Sequence, residues 1–352
     1  MAEYELVAVA RTPQSGAAPT LTELGPIVAP TITTTRRLRG TDSLAFSCVP
    51  DRLDSGIRSR LLDLAANPLE VWLYRDGVIT AAGFVAGYQA QGGTLSVTAP
   101  GLLGYLAYMQ VHADLDYSAG TDQTLIGKGL VDQWQALAYG NFGIVTSGIT
   151  ASGVTRSRKY LAVEQHQVLQ RLNELGAAAN GFDVDLNPAT RALLLTYPQQ
   201  GTDLSASIVL DGRNITDAGV VVSVAPGDLA SEAYGTGGSA DAAAITSLQS
   251  NTTLRAAFGR SAVAGSFDGV TQQTTLDQHT QAMLDARDQQ LFLPGPGLVP
   301  VADADIGSFD IGDQVTYSYD AGLGEQSGVF RVAELQTTVD ANGAESMKVS
   351  FA

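Results

Sequence analysis

Apolar residues recur at every second position through much of the first hundred residues and again towards the C-terminus, the spacing of half-buried strands. Glu3 to Ala10 and Leu44 to Val49 read as strands. Leu53 to Leu64 reads as a short helix with Ile57, Leu61 and Leu64 on one face. Residues 12–35 are rich in proline, threonine and glycine and read as a loop or arm. A meander follows. Glu70-Val71-Trp72-Leu73-Tyr74 and Val78-Ile79-Thr80 flank Asp76-Gly77, which supplies the positive φ of a tight hairpin. Phe84 to Gln89 extends the second strand, and Gly92-Gly93 turns the chain into Thr94 to Thr98. Consecutive strands with short turns predict an antiparallel barrel or sandwich.

From residue 106 to 205 the period changes. A helix is expected from Asp122 to Tyr139, capped by Thr121 and stopped at Gly140, with Ile126, Leu130, Trp134 and Leu137 on one face. Gly127 and Gly129 lie inside it, at a cost of about 1 kcal/mol each relative to alanine. A second helix is expected from Leu161 to Leu175, with Leu161, Val168, Leu172 and Leu175 as its stripe and Gly176 as its stop. Strands over Phe182–Leu186 and Ala192–Tyr197 complete a small α+β unit.

Residues 206–239 return to strand, with a turn at Asp211-Gly212 and a core run at Val220-Val221-Val222, until Gly235-Thr236-Gly237-Gly238 breaks the pattern. Residues 240–289 read as a helical insert. Thr275 and Gln278 form a capping-box pattern there, and Leu276, Thr280, Met283 and Arg287 share a face with Leu284 beside it. Leu293-Pro294-Gly295-Pro296-Gly297 ends the insert. Residues 290–352 are β again: Val315, Tyr317 and Tyr319 alternate with polar residues, and Phe330–Val339 pairs with Glu345–Phe351 around Asn342-Gly343. Met347, Val349 and Phe351 share one face of that hairpin. The predicted class is mainly β with α+β. It has four parts: 1–105, 106–205, 206–239 with 290–352, and the insert 240–289.

Charge narrows the possible partners. Asp plus Glu number 36 against 20 Lys plus Arg, a formal net charge of −16 that repels phosphate, so no stable nucleic-acid binding is expected. A wall past which DNA slides without sticking suits this balance better. The single cysteine, Cys48, excludes an intrachain disulfide and reads as a buried small apolar residue. The first residues lack the basic segment of a signal peptide, and no stretch approaches 18 apolar residues, so no membrane insertion is expected and synthesis in the cytoplasm is.

No constellation predicts catalysis. His112, His166 and His279 are the only histidines. His166 falls roughly opposite its leucine stripe and reads as solvated, and His279 reads as a packing-boundary residue one turn from Leu276. There is no H-E-x-x-H or paired-cysteine zinc pattern, and Gly259-Arg260-Ser261 lacks the second glycine of a nucleophile elbow. Gly235–Gly238 and Gly127-Lys128-Gly129 lack the remainder of a phosphate loop and read as linker or turn. Asp183-Val184-Asp185-Leu186-Asn187 begins like a calcium loop, but has Pro188 where glycine is needed and Leu194 where the bidentate glutamate belongs. Asp114 and Asp116 are spaced for one face of a strand. The one acidic cluster with any metal-ligand character is Asp303, Asp305, Asp310 and Asp313, for which solvated turn carboxylates are the simpler reading. No catalytic, cofactor or metal residues are assigned.

Several of these segments are familiar in order. Glu70 to Gly77, Gly83-Phe84-Val85-Ala86-Gly87 and Gly93 to Ala99 resemble the first barrel of phage tail hub proteins, the minor tail or tail-associated proteins of siphophages related in fold to the baseplate hub of contractile tails. Asp122 to Leu137 is similar to the helix that follows it. Asp211-Gly212-Arg213-Asn214-Ile215-Thr216 and Ala230 to Gly235 resemble the start of a second barrel, and Ile311-Gly312-Asp313-Gln314-Val315 with the final hairpin resembles its end. The resemblance implies two β-barrel-like hub domains per chain and a homotrimer whose six barrels form a pseudo-sixfold ring at the tail tip of the virion. It implies a structural role around the DNA-ejection conduit, with the distal tail ring, tape measure and central fibre proteins as partners and no cofactor. A carbohydrate- or receptor-binding tail module is the alternative, and a cell-wall hydrolase a minor one. The residues at 12–35, and the lack of an added enzymatic or fibre domain, depart from the pattern.

Overall fold

The computed structural model describes residues 2–178, 180–216, 220–239, 242–287, 291–294, 297–298, 306–320 and 325–351. The chain opens with a hairpin, β1 (Tyr4–Gln14) and β2 (Ala17–Pro26), followed by β3 (Thr31–Arg37) and β4 (Ser43–Cys48). The loop or arm expected at 12–35 is therefore mostly strand. Among the described residues β2 pairs only with β1, so it is an edge, and its prolines Pro19 and Pro26 remove donors that a central strand would need. The run Thr31 to Thr35 is β-branched throughout and suits the pleat of β3.

Helix α1 (Ser55–Leu61) is capped by Asp54, whose side chain accepts from the Gly56 amide at 2.6 Å. β5 (Leu69–Arg75) and β6 (Val78–Phe84) form the expected hairpin, with Asp76 and Gly77 both at positive φ, 51° and 78°. Phe84 to Gln89 is not one strand. The chain leaves β6 at Phe84 and enters a different sheet as β7 (Tyr88–Gln91), continuing into β8 (Thr94–Pro100). A sheet of order β2-β1-β5-β6 packs over β3, β4, β7 and β8 around Leu6, Ala8, Leu44, Phe46, Ile57 and Val71. Cys48 is buried in this core, as expected, and burial pushes its thiol pKa up.

In the middle unit, α2 (Gln123–Gln135) begins one residue later than expected because Asp122, not Thr121, caps it. Burial raises the Asp122 carboxyl, but hydrogen bonds from Thr124, Ser152 and Gly153 outweigh that and hold it at about 2. The two helical glycines have a packing role. A Cβ at Gly127 would sit 2.8 Å from Leu195 and 2.9 Å from Leu172, so glycine lets α3 (Val168–Ala177) pack directly on α2. The predicted Leu161–Leu175 helix starts late because a 3-10 turn at Ala162–Glu164 and a left-handed Gln165 (φ 49°) intervene. Gly176 lies inside the last turn of α3, pressed against the Phe182 carbonyl, rather than stopping the helix. β9 (Asp183–Leu186) and β10 (Leu193–Thr196) pair antiparallel as read.

The segment read as a helical insert is mixed α/β. β11 (Glu232–Ser239), β12 (Ala242–Ser250) and β13 (Ala262–Asp268) form a sheet of order β12-β11-β13, with helices α4 (Thr252–Phe258) and α5 (Gln273–Asp285). The glycines that broke the sequence pattern lie inside β11. Gly235 and Gly237 lack side chains where Leu276 and Thr280 of α5 come down on the sheet. The capping box at Thr275 and Gln278 is not used, since α5 begins at Gln273 and Thr275 is buried within it. Gly235→Ala is expected to cost about 1–3 kcal/mol by overpacking against Thr280. A urea midpoint within error of the parent protein would refute this.

The C-terminal unit contains β14 (Gln314–Asp320), β15 (Glu325–Val339) and β16 (Glu345–Phe351). Its core is Ile208, Leu210, Phe309, Ile311, Val315, Tyr317, Val332, Met347, Val349 and Phe351, including the predicted hairpin face. Val220–Ser223 is a strand, paired with Leu291–Pro294. The first half of β15 pairs with β14, and the second half pairs with β16 on one side and β3 on the other. The N- and C-terminal units thus share one sheet of order β7-β8-β4-β3-β15-β16, extended by short strands at Gly297–Leu298 and Ile215–Thr216. No closed barrel forms among the described residues.

Candidate functional site

The polar centre of the molecule is the seam where the N-terminal, middle and C-terminal units meet. β3 and the turn after it supply Arg36, Arg39 and Asp42, β9 supplies Asp183 and Asp185, and the C-terminal unit supplies Asp310, Asp313 and Arg331. Asp183 is fully buried. It accepts from Arg39 at 2.7 Å, from the Gln200 amide at 2.7 Å, and from Arg331. Arg36 reaches Asp185 at 2.9 Å and also pairs with Asp310 and Asp42. Three units are therefore cross-linked by two nodes, one centred on Asp183 and one on Arg36.

The Arg36 node holds three carboxylates for one guanidinium. Asp42 is pushed up to about 7, chiefly by desolvation and further by the charges of Asp185 and Asp310, against the pull of Arg36. A raised folded-state pKa means that the ionised form destabilises the fold. Stability from this group is gained as pH falls from about 7 towards the ordinary carboxylate range, and is absent above it. Asp42→Asn keeps an oxygen for the Arg37 amide and is expected to raise the melting temperature at pH 8 but not at pH 4. Equal shifts at both pH values would rule this out.

A cleft of about 560 Å³ opens beside the seam. Its wall mixes apolar Leu73, Ile79, Phe309 and Met347 with Arg36 and Asp185.

A second buried pair ties β5 to the middle unit. Glu70 is fully buried and holds Arg191 in a two-pronged pair at 2.8 and 3.3 Å, while Tyr105 and Trp72 also donate to it. The ring of Tyr105 stacks between Phe84 (4.4 Å) and Phe142 (4.8 Å). A third node joins the middle unit to the insert. Arg158 bonds the His279 ring, which lies 4.7 Å from the Phe267 ring in a stacked pair. Burial and the charges of Arg158 and Arg156 hold His279 down to about 3, so it is neutral and accepts from arginine.

Of the four carboxylates singled out from the sequence, Asp310 and Asp313 are among the described residues. Asp303 and Asp305 lie outside the described residues. Asp310 and Asp313 are structural: Asp313 accepts from the Thr202 and Asp310 amides at 2.7 Å each, and Asp310 pairs with Arg36. Among the described residues no group of acidic, histidine or cysteine side chains is arranged to hold a metal ion. Asp183 and Asp185, which begin like a calcium loop, bind arginines instead, and Asn187 caps the turn at Ala189 and Thr190. Asp114 and Asp116 accept from the Ala162 and Ser118 amides. His112 is exposed. His166 is not the solvated helix residue expected. It precedes α3, is half-buried, and pairs with Glu164 at 2.9 Å. His279 is interior rather than at a packing boundary. What the residue reading missed is the seam. Its one signal was the run Arg36-Arg37-Leu38-Arg39 in a chain poor in basic residues.

No helix among the described residues is long and apolar enough to cross a membrane. No family model matches the chain, and no curated protein matches it. Solved structures do. A tail protein from Neisseria meningitidis MC58 superposes with a TM-score of 0.60 at 14% identity, covering 99% of this chain and 96% of that one. The 43 kDa tail protein of prophage MuSo2 from Shewanella oneidensis gives 0.63 at 14% identity, covering 99% and 98%. Prophage tail protein gp18 from Listeria monocytogenes EGD-e gives 0.55 at 11%, covering 98% and 94%. The resemblance read from the sequence therefore stands in three dimensions: over nearly its whole length the chain has the fold of phage tail proteins.

Proposed function

We propose that this chain is a structural, non-enzymatic virion protein: a tail-tip hub that trimerises into a ring between the tail tube end and the central fibre. The observation that carries this reading is the near-complete mutual coverage with the Neisseria and Shewanella tail proteins, at 99% of this chain and 96% or 98% of theirs. In this reading the N-terminal and C-terminal β units act as the two barrel-like repeats of each subunit. Three chains then form a ring of six such units, pseudo-sixfold towards the tail ring and threefold towards the fibre, and heterologous contacts close the ring. The shared β3–β15 pairing suits this role, because it would hold two repeats of one subunit at a defined angle. The net charge of −16 suits a conduit that does not retain DNA.

The test is the solution mass by light scattering across a concentration series, alone and with the distal tail ring protein of the same phage. Three chain masses in either condition are expected. A monomer under both conditions would overturn the hub reading. Glycan binding by that monomer would then favour the carbohydrate-binding module.

A further inference from the structure

Arg11, in β1, is a buried cation without a counter-ion among the described residues. It is 6% exposed, and its Nε has no hydrogen-bond partner. No carboxylate among the described residues forms an ion pair with it. Glu70, the buried carboxylate that Tyr105 donates to, is taken up by Arg191, Tyr105 and Trp72. The Arg11 guanidinium carbon lies 5.1 Å from the Tyr105 ring centroid and 4.7 Å from that of Phe142. Arg11 thus packs on the aromatic stack whose Tyr105 hydroxyl donates to Glu70, while the Glu70 carboxylate is committed to Arg191, leaving Arg11 without an ion pair among the described residues.

Burying a guanidinium that has no ion-pair partner and an unbonded Nε is costly, and cation–π contact with two rings offsets only part of the cost. What is missing is a counter-ion, and the planar fork of arginine matches a planar two-oxygen acid. We propose that Arg11 is the seat of a carboxylate, which completes the pair that the chain itself leaves open. The carboxylate comes from a small organic acid in solution or from an acidic side chain of a second copy, of which a chain with 36 Asp and Glu has many. This inference does not depend on the tail-hub reading.

The probe is sodium acetate against sodium chloride at equal ionic strength, on the full chain and on Arg11→Met, which keeps the apolar stem beside the rings. Melting temperature and solution mass are read together. For a seat filled from solution, acetate raises the melting temperature saturably, on the order of 2 °C at ten times its dissociation constant, with no change in mass. Arg11→Met loses this response while matching or exceeding the parent stability without acetate. For a seat filled by a second copy, the parent protein has a higher mass than Arg11→Met, and acetate lowers it. Arg11→Lys, which keeps the charge but not the fork, is expected to weaken the acetate response at least tenfold, and it serves if the methionine variant does not fold. Three results would each overturn the proposal: equal responses to acetate and chloride, an acetate response retained by Arg11→Met or Arg11→Lys, or identical masses with no acetate response.

Discussion

Glu70→Ala is expected to destabilise the protein by about 3–5 kcal/mol, because it strands Arg191 in the interior. The side chain of Glu70 is 0% exposed and that of Arg191 11%, so water cannot replace the lost partner. The variant also removes the acceptor of the Tyr105 hydroxyl and the Trp72 indole, donated at 2.9 and 3.2 Å. Arg191 keeps its hydrogen bonds to the Phe142 and Gly143 carbonyls, which hold it in place and prevent it from swinging out to solvent. Replacing both partners, as Glu70→Leu with Arg191→Met, is expected to recover much of the loss, since no unpaired charge then remains. Urea unfolding of the two single variants and the double variant checks this. A loss under 1 kcal/mol for Glu70→Ala would mean that the pair contributes little and that the interior there is wetter than the structure has it.

Asp183→Ala is the second large effect, also about 3–5 kcal/mol, and it differs in kind. Asp183 joins Arg39 of the N-terminal unit to Arg331 of the C-terminal unit through the strand β9 of the middle one. Its loss leaves two arginines without their carboxylate and removes one of the two nodes that couple the three units. Unfolding is therefore expected to split into more than one transition, which calorimetry detects directly. The pH dependence follows from the same contacts. Burial pushes the Asp183 carboxyl up, but the Arg331 hydrogen bond, the Gln200 amide and the Arg39 charge outweigh it and hold the group below the ordinary carboxylate range. A depressed folded-state pKa contributes stability that is full above the unfolded value near 4 and lost as pH falls through the folded value. Asp183→Asn should flatten that acid limb. A variant that unfolds in one transition, with the acid limb of the parent protein, would refute the clasp.

These two nodes show where sequence reading stops. Glu70 was read as the first residue of a strand, and that strand exists. Nothing local says that Glu70 points inward to meet an arginine 121 residues later. Asp183 and Asp185 were noticed for their spacing and set against a calcium loop, a comparison of local pattern. Their real partners, Arg39, Arg331 and Arg36, are remote in sequence, and only packing brings them within reach.

The same division runs through the fold. Asp76-Gly77, Asn342-Gly343, the face of Met347, Val349 and Phe351, and the stripe of Ile126 and Leu130 were legible because each depends on neighbours a few residues away. Backbone sterics in a two-residue turn and the periods of strand and helix are local properties. The strands at 12–35 were not legible, because proline and threonine enrichment describes an edge strand as well as a loop, and only the ladder to β1 distinguishes them. The insert was misread for a similar reason. Gly235 and Gly237 look like breakers until α5 lies across them. Sequence by itself determined the β-rich class, the acidic charge balance, the short-range hairpins and the resemblance to phage tail proteins. Tertiary structure alone decided that β3 joins β15 in one sheet, that the middle unit is held by buried arginine–carboxylate pairs, and that Arg11 has none among the described residues. The reason is physical: hydrogen-bond ladders and ion pairs across large sequence separations depend on which surfaces the packed units bring together.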